Sequence, residues 1–133
     1  MSPTLPPYAL SAPAFPLRQL ASLAGRAPIG GAREVALACF VAARLAAEQL
    51  VPEEQRMPEP ARLQRAAGAK GWLGTLALPA AVKAPLGKCV EHSAEGARAA
   101  LAQDVATLVS AAEPWLDAAA RGELQALSRS LRE

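Results

Sequence analysis

Asparagine is missing from this chain, and isoleucine occurs once, as Ile29. There is one histidine, His92, and aromatic residues make up 4% of the 133 positions. Strands favour β-branched and aromatic side chains, so a chain this poor in them does not build a sheet. Only two cysteines are present, Cys39 and Cys89, which excludes a disulfide framework. A zinc centre needs three or four converging ligands. Cys89 and His92 share the spacing of half a site, but no second pair of such residues exists to complete it. Charge of one sign is also lacking: the formal net charge of +2 is too small to argue for a nucleic-acid partner by itself. Finally, there is no long apolar run. The longest, Val35 to Ala43, ends at Arg44, well short of the roughly 20 residues that span a bilayer. No transmembrane segment is expected.

What remains is rich in alanine, about a quarter of all residues, and leucine, the strong helix formers. The expected fold is all-α: a compact bundle of four to five helices forming a single domain over residues 17–133, preceded by an extended arm over residues 1–16. Five prolines in that arm (Pro3, Pro6, Pro7, Pro13, Pro16) forbid a helix and favour a polyproline-like path. Its Leu5, Tyr8, Leu10 and Phe15 are apolar, which suits docking on the bundle or on a neighbour. Pro13-x-x-Pro16-x-Arg18 matches proline-rich SH3 ligands, although Pro16 is more simply the start of a helix. No basic cluster precedes an apolar run at the N-terminus, so the expected location is cytoplasmic, with reduced thiols. The dominance of Arg over Lys fits a GC-rich bacterial genome.

Periodicity predicts a short helix over 16–24 and a long one over 32–51 whose apolar residues reach most sides. Such a helix is buried, and forms the hub. A polar, proline-broken loop covers 52–60. A third helix, weakened by Gly68, Gly71 and Gly74, is expected over 61–78, with a short helical turn or a linker over 79–85. Val90, Ala94, Ala97, Leu101, Val105, Leu108 and Ala112 form one narrow stripe, which predicts a continuous fourth helix over 87–113. The last helix, over 114–131, repeats the pattern through Leu116, Ala120, Leu124, Leu127 and Leu131, with Asp117 and Arg121 as an i,i+4 pair. The segments Gly31 to Glu48 and Gly96 to Glu113 share a weak internal echo.

The stretch Ala84 to His92 (APLGKCVEH) carries two hints of chemistry. A phosphate loop requires a glycine five residues before the Gly-Lys pair and a hydroxyl after it. Val82 and Cys89 occupy those positions, so Gly87-Lys88 is not such a loop. A nucleophilic Cys89 would need a thiolate stabilised by a nearby cation and a third, orienting residue. No orienting residue is evident, and Cys89 is expected to be buried. No enzyme activity, cofactor or metal is expected.

The basic residues Arg56, Arg62, Arg65, Lys70, Lys83 and Lys88 are opposed between positions 56 and 88 only by Glu59. Arg62, Arg65, Lys70 and Trp72 fall on one predicted helix, with Arg65 and Trp72 on the same face. The functional expectation is a non-catalytic protein-interaction module, an adaptor or an accessory subunit of a larger bacterial assembly. It would present Tyr8 and Phe15 of the arm with Arg62, Arg65, Lys70 and Trp72, and self-association through the narrow apolar stripes is possible. The alternative is a nucleic-acid-binding protein that uses segment 56–88, with arginine on phosphate and Trp72 stacked on a base.

Overall fold

The computed structural model describes residues 17–26 and 31–133, so the proline-rich arm, with Tyr8 and Phe15, lies outside the described residues. All regular structure among the described residues is helical. Six α-helices follow one another: α1 (Arg18–Arg26), α2 (Gly31–Ala47), α3 (Glu59–Leu73), α4 (Ala80–Glu95), α5 (Arg98–Ala112) and α6 (Ala118–Arg132). Short 3-10 turns fall at Glu48–Leu50, Glu53–Gln55 and Glu113–Trp115.

The hub is α2. Every residue from Val35 to Ala47 is buried, and the helix touches each of the other five. Its alanines keep the helix thin, so neighbours approach closely, while Val35, Cys39 and Val41 fill the remaining space with no exposure. Helices α4 and α5 fold back on each other, as do α5 and α6, and α1 lies on α2 and α6. The backbone amide of Leu20, in the first turn of α1, donates to Glu123 Oε1 of α6 at 2.7 Å. That amide has no partner within its own helix, so a tertiary contact supplies the cap. At the other end of α6, Arg98 donates to the carbonyls of Leu131 and Ser130 at 3.0 and 2.9 Å. The five stripe positions of the last helical pattern, Leu116, Ala120, Leu124, Leu127 and Leu131, are all buried.

The expected fourth helix over 87–113 is two helices, which raises the count from the expected four to five to six. Gly96 adopts φ 73°, ψ 24°, a left-handed conformation that glycine takes without a Cβ penalty. Its amide donates to the Ser93 carbonyl at 3.3 Å and that of Ala97 to the His92 carbonyl at 3.0 Å. This pair of bonds is the Schellman termination of a helix. The stripe runs through the break because Ala94 and Ala97 sit on either side of a turn that returns the chain to the same core. Upstream, residues 80–85 are the first turns of α4 and not a linker. Pro85 is buried within the helix and forgoes the bond to the carbonyl of Ala81, an exposed residue where water can serve instead.

Two other boundaries move. The expected start of the last helix at Pro114 is a 3-10 turn, and α6 begins after Asp117, whose Oδ1 accepts from the Ala120 amide at 2.8 Å. Asp117 is therefore an N-cap. Arg121 pairs with Glu113 at 3.3 Å instead of with the Asp117 carboxylate. Helix α3 stops at Leu73, five residues before the expected end: the Thr75 hydroxyl donates to the Trp72 carbonyl at 2.6 Å and the Ala77 amide donates to Glu34 Oε2 at 2.7 Å. The internal echo does coincide with structure, since each copy is a helix closed by a 3-10 turn that opens on its glutamate, Glu48 or Glu113.

Candidate functional site

Helix α3 is the least embedded of the six helices among the described residues. Pro60 sits in its first turn, where a missing amide costs nothing. Only Ala66, Ala69 and Leu73 of the helix are buried, two of them small, and its main neighbour is α4. Its outer face carries Leu63, 47% exposed and the single exposed large hydrophobic side chain among the described residues. Ala67, Gly68, Lys70 and Gly71 continue that exposed face.

The residues expected to make contacts divide into two groups here. Arg62 and Arg65 work inside the molecule. Arg62 Nε donates to the Ala94 carbonyl at 2.8 Å, tying α3 to the last turn of α4, and Arg65 is salt-bridged to Glu48 with little of its side chain exposed. Arg56, too, donates to the carbonyls of Val51 and Gln49, at 2.7 and 3.0 Å. Trp72 is half-buried against the core. Lys70, by contrast, is exposed.

Lys70 stands on a groove of about 250 Å³ between α3 and α4, with Leu73, Leu78, Leu86 and Val90 as its apolar lining and Lys83 on the other side. Among the described residues neither Lys70 nor Lys83 has an ion-pair partner. Lys88, one residue beyond the groove's Gly87, lies 3.9 Å from Glu91. A Cβ built on Gly68, Gly71 or Gly87 would meet nothing within 4 Å, as also at Gly25 and Gly122. Within the described chain nothing approaches Gly68 or Gly71. A broader depression of about 460 Å³ lies between α5 and α6, lined largely by polar side chains including Gln125, Arg129 and Arg132. Its Ser128 hydroxyl already donates to the Ala102 carbonyl at 2.7 Å.

The APLGKCVEH stretch lies inside α4, not at a helix start. Gly87 and Lys88 are therefore in mid-helix, where amides bond to carbonyls one turn back and do not gather around a phosphate. Cys89 is buried without exposure. Burial pushes its thiol up, with the charge of nearby Asp104 and then Cys39 adding to the effect, while burial alone pushes Cys39 up to about 12. A thiol held protonated and shut away from solvent is a poor nucleophile. His92 Nδ1 and Asp104 Oδ2 lie 2.5 Å apart, a hydrogen bond that joins α4 to α5. Among the described residues, no three His, Cys, Asp or Glu side chains converge as a metal site would require. No helix of the described chain is long and apolar enough to cross a membrane.

Sequence reasoning missed Leu63 and the groove itself, and counted Lys83 only as part of the basic segment 56–88. Leu63 had the signal of a leucine that fits no inward stripe, whereas the groove needed the true start of α4 to be seen. Comparison of the chain with protein-family models, with curated proteins and with solved structures finds no match.

Proposed function

We propose that this chain is a non-catalytic interaction module, an adaptor or accessory subunit, whose contact surface is the outer face of α3. The observation that carries the reading is the combination on one helix of an exposed leucine and glycines that no part of the described chain uses. A mid-helix glycine costs roughly 1 kcal/mol relative to alanine. Two of them, Gly68 and Gly71, facing open space suit a surface onto which another backbone settles. The alternative reading, nucleic-acid binding through segment 56–88, has less to draw on, because Arg56, Arg62 and Arg65 hold internal carbonyls or a carboxylate. It is left with Lys70, Lys83 and Lys88.

The test is capture of a partner from a lysate of the source cell by the immobilised full chain, beside the same chain carrying Leu63→Glu. The module reading expects a protein retained by the first and lost by the second. Retention on heparin or DNA that falls steeply with salt and disappears when the three lysines are substituted would contradict it.

A further inference from the structure

We propose that the groove between α3 and α4 receives an apolar side chain presented by an acidic amphipathic helix of another protein. The proposal rests on the reading of the chain as an interaction module and adds the partner's chemistry.

Size sets the first limit. A 150 Å³ apolar cavity accommodates benzene, so a groove of about 250 Å³ takes one large side chain such as Leu or Phe. It is smaller than the roughly 300–1,000 Å³ of small-molecule sites. Shape sets the second. From Leu63 through Ala67 and Gly71 to Gly74, exposed positions recur at helical spacing and lead into the groove. At about 1.5 Å per residue that line is roughly 16 Å long, three turns of a partner helix. Gly68 and Gly71 let such a helix approach closely. Charge supplies the third limit. Lys70 and Lys83 flank the apolar floor, neither is paired among the described residues, and no carboxylate lines the groove. An apolar anchor with carboxylates about one turn to each side matches this pattern, in the helix-in-groove mode of recognition. A second copy of this chain matches the pattern on one side only: its exposed Leu63 has a carboxylate, Glu59, one turn before it but alanines, Ala66 and Ala67, one turn after.

The experiment is a fluorescence-anisotropy titration of the full chain with a labelled synthetic helix of about 18 residues, with leucines at i, i+3, i+4 and i+7 and glutamates on the flanks. Twins carrying glutamine or lysine in place of every glutamate are run beside it. Two exposed ion pairs at about two- to fivefold each give the glutamate peptide an advantage of about tenfold over the glutamine twin, shrinking as salt is raised. The K70E/K83E double variant is expected to reverse the preference in favour of the lysine twin. Gly87→Leu places a side chain where a Cβ meets open space. It is expected to weaken the glutamate peptide tenfold or more without lowering the unfolding midpoint.

Equal binding of the glutamate and glutamine peptides, or indifference to Gly87→Leu, would overturn the proposal. So would self-association of the chain that the same variants abolish, or binding of decanoate to the groove with no binding of any peptide. A captured partner lost on Leu63→Glu but kept on Gly87→Leu and K70E/K83E would also overturn it, while leaving the interaction reading intact. If no α3 substitution affects capture, both readings fall.

Discussion

Gly96→Ala and Gly71→Ala are the same chemical change at a glycine that ends one helix and a glycine inside another, and the structure assigns them opposite signs. At Gly96 the backbone sits at φ 73°, where an L-residue with a Cβ costs roughly 1–2 kcal/mol. The new methyl itself meets only Gln49 Oε1 at 3.6 Å, an ordinary contact. The smaller entropy of the unfolded alanine chain returns roughly 0.4–1 kcal/mol, which leaves a net loss of about 1 kcal/mol. At Gly71 the backbone is part of α3 and a Cβ meets nothing within 4 Å, so alanine gains about 1 kcal/mol. The two variants should differ by about 2 kcal/mol in urea unfolding followed by far-ultraviolet circular dichroism, with the slope unchanged. A Gly96→Ala variant at least as stable as the parent would refute the hairpin between α4 and α5 and restore one continuous helix through that position. A destabilised Gly71→Ala variant would mean that something in the chain does pack there.

Other consequences are open to measurement. Both cysteines should resist a thiol reagent at neutral pH in the folded protein and react at the rate of unfolding; fast labelling of Cys89 alone would contradict its burial. Because Cys39 is raised from 9.0 to about 12 on folding, the unfolded chain loses its thiol proton first, so stability should fall as pH rises from about 9, by about 1.4 kcal/mol per pH unit. A Cys39→Ala variant, compared with the parent over the same range, should lack that share of the slope. Arg62→Ala should lower stability by about 1 kcal/mol through loss of the bond to Ala94. An unchanged stability with a weaker salt dependence of heparin retention would return Arg62 to the nucleic-acid reading. Removing His92 and Asp104 singly and together should show a coupling of about 1 kcal/mol in a double-mutant cycle, and independence would dissolve the link between α4 and α5.

The parts of the fold that were legible in the sequence are those written as periodicity. The hub helix announced itself by apolar residues on most sides, and the stripe of α6 named five positions that are all buried. The breaks were not legible for a related reason. Ala94 and Ala97 keep the helical spacing across Gly96, so a turn inside an alanine-rich stripe leaves the pattern undisturbed, and one glycine among nine does not reveal its φ. Pro85 misled in the opposite direction, because its ring is tolerated within α4 while sequence reasoning stops a helix there. For the candidate site, the exposure of Lys70 was legible because it follows from its place on α3. Arg62 and Arg65 were assigned outward roles because their partners, the Ala94 carbonyl and Glu48, are 32 and 17 positions away in the chain. A long-range pairing of this kind leaves no local mark. The burial of Cys89 was foreseen, but its partner environment was not, since Asp104 comes near only after the chain reverses at Gly96.

Helix α3 is thinly attached through Ala66, Ala69 and Leu73, apolar outside at Leu63, and open beside two lysines. Amide chemical shifts of the isotope-labelled full chain, followed as the captured partner is added, test this most directly. The perturbed amides are expected to cluster at Leu63, Ala67, Gly71 and Gly74, and to extend across the groove to Gly87. Perturbations confined to the depression between α5 and α6, around Ser110, Gln125 and Arg129, would contradict it.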